Sequence, residues 1–173
     1  YLGTTGDDNL TGTAANEALI GLTGNDTLNG LGGVDILIGG AGNDIYVVDA
    51  ATVTLTEGGG AGTDTIQSSL ATFTVPTNFE HLTLTGGGNI NGTGNGVANI
   101  LTGNTGNNTL SGLDNADTLI GGDGNDQLIG GNGADGLTGG AGADTFVYNS
   151  AGESNSSRDT ITDFLSGTDK IDL

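Results

Sequence analysis

The sequence contains no cysteine, which excludes disulfide staples and thiolate metal sites. Methionine and tryptophan are also missing and aromatics make up only 4% of the residues. A thick core of large side chains is therefore excluded, and buried area has to come from many thin, similar layers. Lysine and arginine occur once each, at Lys170 and Arg158, against 21 acidic residues. The formal charge of −19 leaves no basic footprint for nucleic acid or an anionic membrane surface. No apolar run approaches the roughly 18 residues of a membrane span, and no signal-peptide pattern follows Tyr1, so neither membrane insertion nor an N-terminal targeting route is expected. The single histidine, His81, has no second histidine to share a metal, and neither HExxH nor GxSxG is present, so this stretch is not expected to be an enzyme.

Glycine, by contrast, accounts for 36 of 173 residues, and it is periodic. Gly121 to Val147 reads as three lines of nine, GGDGNDQLI, GGNGADGLT and GGAGADTFV, with glycine first, second and fourth, aspartate sixth and an apolar residue eighth. A repeat that strict means one supersecondary element stacked on itself. Stepping by nine from Gly3 gives five repeats with Leu10, Leu19, Leu28, Leu37 and Tyr46 at the eighth place. Stepping from Gly94 gives six more, with Leu101, Leu110, Leu119, Leu128, Leu137 and Phe146. Between these blocks, Val48 to Gly58 reads as one longer coil with Thr54-Leu55-Thr56 as its strand, and Gly59 opens a repeat with Asp64 sixth and Ile66 eighth. Two further steps, from Ser68 and Thr77, put Val75 and Leu84 at the eighth place, and Gly86 to Thr93 reads as irregular.

Nine residues divide into a six-residue turn, where glycine supplies positive φ, and a three-residue strand with one inward side chain. Two repeats make one coil, so repeats n and n+2 stack about 4.8 Å apart. The expected fold is an all-β, right-handed parallel β-roll with two facing parallel sheets. Residues 1–147 form the roll (3–47 a first repeat block, 48–93 modified coils, 94–147 a second block). Residues 148–173 form a short C-terminal cap of one or two strands over the open end, after a polar loop AGESNSSR.

The same stacking brings sixth-place carboxylates of repeats n and n+2 together, where two bare charges repel by about 1 kcal/mol even in water. A hard cation between them reverses the sign. Calcium takes six to eight oxygens at about 2.3–2.6 Å, and a glycine turn offers carbonyls beside the carboxylates. Magnesium demands tighter octahedral geometry, and zinc lacks its nitrogen and sulfur ligands. The expected pairs are Asp8 with Asp26, Asp26 with Asp44, Glu17 with Asp35, Asp117 with Asp135, Asp126 with Asp144, Asn99 with Asp117 and Asn108 with Asp126. That gives about seven calcium ions. Asp64 has the turn but no evident partner two repeats on.

These repeats resemble the glycine-rich nonapeptide of RTX proteins, the haemolysin-type calcium-binding repeat, which is an established β-helix repeat. The tail RDTITDFLSGTDKIDL is similar to the segment closing the C-terminal rolls of serralysin-type metalloproteases and the repeat modules of alginate epimerases, and NFEHLTLTG resembles spacers of large RTX surface proteins. The resemblance implies a bacterial protein exported by type I secretion that folds outside the cell, or at its surface, on extracellular calcium. It also implies a capping ion at Asp159 and Asp163. The family's extreme C-terminal export signal is not evident at KIDL, which points to a piece of a longer protein. The expected role is a structural or surface-assembly module whose partners are calcium ions and copies of itself. The alternative is a polysaccharide-binding accessory module of a secreted epimerase, protease or lipase.

Overall fold

The computed structural model describes residues 1–58, 62–148 and 158–173, and among these it contains strands and no helix. The turn that Gly59 opens is thus described only from residue 62, and most of the AGESNSSR loop lies outside the described residues. The architecture is a parallel-strand β-solenoid of the expected all-β roll class. It resolves into two compact units.

The first unit comprises Tyr1–Leu70 and Pro76–His81. Its strands are β1 (Asn9–Thr11), β2 (Ala18–Thr23), β3 (Thr27–Asn29), β4 (Ile36–Ala41), β5 (Ile45–Val48), β6 (Thr54–Thr56) and β7 (Thr65–Ser68). Odd-numbered strands pair in parallel on one face in the order β1-β3-β5-β7, and β2-β4-β6 form the other sheet. Leu10 is registered with Leu28 and Leu28 with Tyr46, while Leu19 is registered with Leu37 and Leu37 with Leu55. The two inner faces are those the nine-residue step predicts, and the long coil carries its strand at Thr54–Thr56 as expected.

The second unit comprises Ala71–Val75 and Leu82–Leu173. Its strands are β8 (Thr72–Thr74), β9 (His81–Leu84, which begins one residue earlier), β10 (Asn91–Thr93), β11 (Ile100–Thr102), β12 (Thr109–Asp114), β13 (Thr118–Asp123), β14 (Gln127–Asn132), β15 (Gly136–Ala141), β16 (Thr145–Val147), β17 (Thr160–Ile161) and β18 (Lys170–Asp172). One sheet runs β18-β16-β14-β12-β10-β8, and β11-β13-β15-β17 pair on the other side. Leu101, Leu110, Leu119, Leu128, Leu137 and Phe146 are all fully buried. A leucine so buried contributes about 1.5–3 kcal/mol by area, which is how a chain poor in aromatics assembles a core.

Three expectations change. Phe73, not Val75, takes the eighth place, because Phe73 is registered with Gly92 and Gly92 with Leu110. Likewise His81 N–H donates to the Asp64 carbonyl as Thr65 N–H does to Asp44, so Leu82 rather than Leu84 is eighth. The GGGNINGT stretch is in step after all, with Gly92 where the apolar residue belongs and the Leu82 and Leu84 side chains filling the space over its Cα. The tail supplies the short strands expected of the cap. It continues both sheets, with Ile161 beside Leu137 and Ile171 beside Phe146.

Candidate metal centre

Each turn edge carries a ladder of sixth-place side chains. The N–H of a sixth-place residue donates to Oδ1 of the sixth-place residue one coil on: Asp8 to Asp26 at 2.8 Å, Glu17 to Asp35 at 2.9 Å, Asp26 to Asp44 at 2.7 Å and Asp44 to Asp64 at 2.8 Å. In the second unit Asn99 donates to Asp117 and Asn108 to Asp126 at 2.7 Å, then Asp117 to Asp135 and Asp126 to Asp144 at 2.8 Å. All seven expected pairs are therefore neighbours in space.

The ladder extends further than the sequence pattern shows. Asp64 N–H donates to Glu80 Oε2 at 2.9 Å, so Glu80 is the partner that Asp64 lacked in the sequence. Asp135 N–H donates to Asp159 at 3.0 Å and Asp144 N–H to Asp169 at 3.1 Å. Asp159 and Asp169 thus hold sixth places in the cap. Asp163 instead accepts the N–H groups of Gly139 and Gly140, at 3.0 and 2.7 Å.

A second ladder, at the fifth place, was not legible as such. Here the later coil donates to the earlier one: Asn25 N–H to Asp7, Asn43 to Asn25, Asn107 to Asn89, Asn125 to Asn107 and Ala143 to Asn125, at 2.7–3.0 Å. Its signal was the run of Asn and Asp one place before the carboxylate.

The other carboxylate oxygen sorts the turns into two kinds. In closed turns the second-place N–H reaches the sixth-place side chain of its own turn. Thr4 donates to Asp8 at 2.6 Å, Thr13 to Glu17 at 2.9 Å, Asn95 to Asn99 at 2.7 Å and Asn104 to Asn108 at 2.8 Å, and in the cap Leu165 donates to Asp169 at 2.7 Å. In open turns the second place has positive φ: Leu22 86°, Leu31 61°, Gly40 110°, Leu113 84°, Gly122 108° and Gly140 98°. Its peptide is turned away from the carboxylate. Except at Leu31, it is drawn instead into the six-residue strands, where Leu22 is registered with Gly40, Leu113 with Gly131 and Gly122 with Gly140.

The result is that Oδ2 of Asp26, Asp35, Asp44, Asp117, Asp126 and Asp144 is buried with no hydrogen-bond partner. An ionised oxygen so placed carries a large desolvation cost unless something positive meets it. What lies nearby is more oxygen. A Cβ added at Gly121 would sit against Asp126 Oδ2 and 2.5 Å from the Gly139 carbonyl oxygen, and one at Gly112 against Asp117 Oδ2 and 2.6 Å from the Gly130 carbonyl. First-place glycine thus leaves a small space faced by a carboxylate and a carbonyl from adjacent coils.

Four of the open-turn carboxylates are shifted toward the protonated form. Burial, then the neighbouring Asp135 and Asp114, push Asp117 up to about 7, and burial with Asp144 and Asp123 pushes Asp126 up to about 6. Burial also raises Asp44 and Asp144. In a closed turn the direction reverses: the Thr13 hydroxyl and N–H hold Glu17 below its ordinary value. In the first unit the carboxylates of Asp44, Glu57 and Asp64 lie within 4.8 Å of one another, and sequence reading did not include Glu57. Its place 18 residues after Gly39 is normally glycine, which was the available clue.

Residues 3–173 match the family described as peptidase M10 serralysin C terminal. No curated protein matches the chain in sequence. With the match spanning nearly every residue and the roll of nonapeptide turns that carries it, this chain belongs to the serralysin C-terminal family, as an RTX-type β-roll.

Proposed function

We propose that the open turns bind calcium and that the roll folds on it, as a structural module of a secreted protein that meets the ion outside the cell. The observation that carries this reading is the set of buried Oδ2 atoms without hydrogen-bond partners, those of Asp26, Asp117 and Asp126 sharing the space at a first-place glycine with a glycine carbonyl of the next coil. The donor set is oxygen throughout, hard and anionic, which suits calcium and offers zinc nothing it prefers. Asp26, Asp35, Asp44, Asp117, Asp126 and Asp144 would hold the ions, with Asp64 and Asp135 completing the pairs. The calcium supplies the positive charge that lets paired carboxylates stay ionised inside the fold.

In the closed turns a backbone N–H already satisfies the sixth-place oxygen that would otherwise meet the ion. Asp8 and Asn108 accordingly serve their neighbours through the ladder and contribute less to metal binding. Asp163 holds the last glycine turn from the cap side, and Asp159 continues the carboxylate column. Circular dichroism and calorimetry with calcium and with chelator test the proposal. Strand signal and heat of binding should appear together on adding calcium; a chain equally folded in chelator, with no heat on calcium addition, would refute it.

A further inference from the structure

One turn of the first unit has a ligand set unlike the rest. Glu57 stands 18 residues after Gly39, where a first-place glycine would offer a carbonyl. Around the Gly39 Cα, Asp44 Oδ2, the Tyr46 hydroxyl and Glu57 Oε1 converge instead. Three carboxylates, those of Asp44, Glu57 and Asp64, share a space with oxygens within 4.8 Å. Asp44 is 1% exposed and its Oδ2 has no hydrogen-bond partner.

The surroundings hold these groups in place. Asp64 Oδ1 accepts from Asp44 N–H at 2.8 Å, and Glu57 accepts from the Tyr46 hydroxyl and from Gly40 N–H at 3.3 Å. Gly39 N–H donates to the Tyr46 hydroxyl at 2.5 Å, and Asn78 Nδ2 donates to the Glu57 carbonyl at 3.0 Å. The Tyr46 ring meets Phe79 edge-on, 5.0 Å between centroids. Glu80 adds a further negative charge beside Asp64.

We propose that Asp44, Glu57 and Asp64 form a distinct site for a hard cation, with the Tyr46 hydroxyl at its edge, that fills before the repeat turns. Three carboxylates repel more than two and are relieved more by one cation, and affinity in oxygen-only sites rises with ligand charge. The inference rests on the calcium reading of the turns and adds to it a side chain that the nonapeptide does not contain.

Tyr46 makes the site optically addressable. The chain has no tryptophan, and its three tyrosines are Tyr1, Tyr46 and Tyr148. Terbium, a hard trivalent probe for calcium sites, emits when an adjacent tyrosine is excited. Terbium titration of the whole chain should give tyrosine-sensitised emission that saturates ahead of the calorimetric signal from the remaining turns. Tyr46→Phe, which keeps the ring packing, should abolish most of that emission, and Tyr148→Phe should leave it.

Glu57→Gln should shift the emission midpoint to higher terbium by at least about tenfold, the scale on which altering a metal site's supporting groups acts. Glu57→Asp, which keeps the charge on a shorter arm, should fall between the two. Sensitised emission that survives Tyr46→Phe, or an unchanged midpoint in both Glu57 variants, would overturn the proposal. If calcium still folds wild type and Glu57 variants alike, this site alone is lost; if calcium folds nothing, the reading of the turns fails as a whole.

Discussion

Asp126 illustrates how much one side chain carries. Its Oδ1 accepts from Asn108, its N–H donates to Asp144, its carbonyl accepts from Thr145, and its Oδ2 is buried without a hydrogen bond. Asp126→Asn preserves the shape and removes the charge. In chelator it should stabilise the fold or leave it unchanged, and in calcium it should destabilise it, so urea midpoints of variant and wild type should cross between the two conditions. Asp126→Ala should demand more calcium for folding than Asp8→Ala, because Asp8 sits in a closed turn that its own Thr4 satisfies.

The raised carboxylates also fix a pH dependence. Asp117 at about 7 and Asp126 at about 6 bind protons more readily folded than unfolded, where the value is about 4. Their contribution to metal-free stability is full below the unfolded value and is lost as pH rises through 6 to 7. Metal-free protein should therefore gain stability on acidification across that window, whereas calcium-loaded protein should lose it as protons displace the ion. Urea denaturation at a few pH values, with calcium and with chelator, reads both slopes.

At the scale of the element, turn type governs which backbone groups depend on metal. The N–H groups of Thr4, Thr13, Asn95 and Asn104 should keep their hydrogen-exchange protection in chelator better than those of the open turns, because their acceptors lie within the same turn. Uniform loss of protection across both kinds would contradict the division. Leucine at positive φ has a cost of its own: Leu113, at 84° and 44% exposed, should gain about 0.5–1 kcal/mol on Leu113→Gly, measured by denaturation in calcium.

Strands explain what the sequence could and could not reveal. Where turns are glycine-rich, the eighth-place residue and its sixth-place partner were legible together, because one nine-residue frame sets both. Between Ile66 and Gly86 that frame has no glycine turn to anchor it. Phe73 and Val75, like Leu82 and Leu84, are two apart and therefore face the same side of a strand, so hydrophobic periodicity cannot choose between them. Glu80 and Asp169 escaped for a different reason: each reaches its place from an irregular spacing, and only the hydrogen-bond ladder shows that it belongs there. Glu57 sits at the regular 18-residue step from Gly39 but carries a carboxylate where glycine is usual.

For the molecule as a whole, a formal charge of −19 on a chain with thin apolar layers sets the balance. Ordering each residue costs roughly 1–2 kcal/mol of backbone entropy, and repulsion adds to it, so calcium should supply a large share of the folding free energy while a weakly folded metal-free state remains. Sodium chloride screens the repulsion without supplying a ligand to the buried oxygens. High salt should therefore raise metal-free strand content only modestly, magnesium somewhat more, and calcium steeply and cooperatively. Circular dichroism titrations with the three salts separate screening from ligation.

The two ladders run with opposite polarity: the sixth-place donor lies on the earlier coil, the fifth-place donor on the later one. Every coil consequently offers its neighbours the same mixture of donors and acceptors on its leading and trailing edges. Nothing in that pattern specifies how many copies there should be. A stretch such as residues 121–138, one 18-residue period, can be duplicated in tandem and its new edges will find their complements. Length is thus a free variable of this fold, open to gain and loss by slippage within the gene.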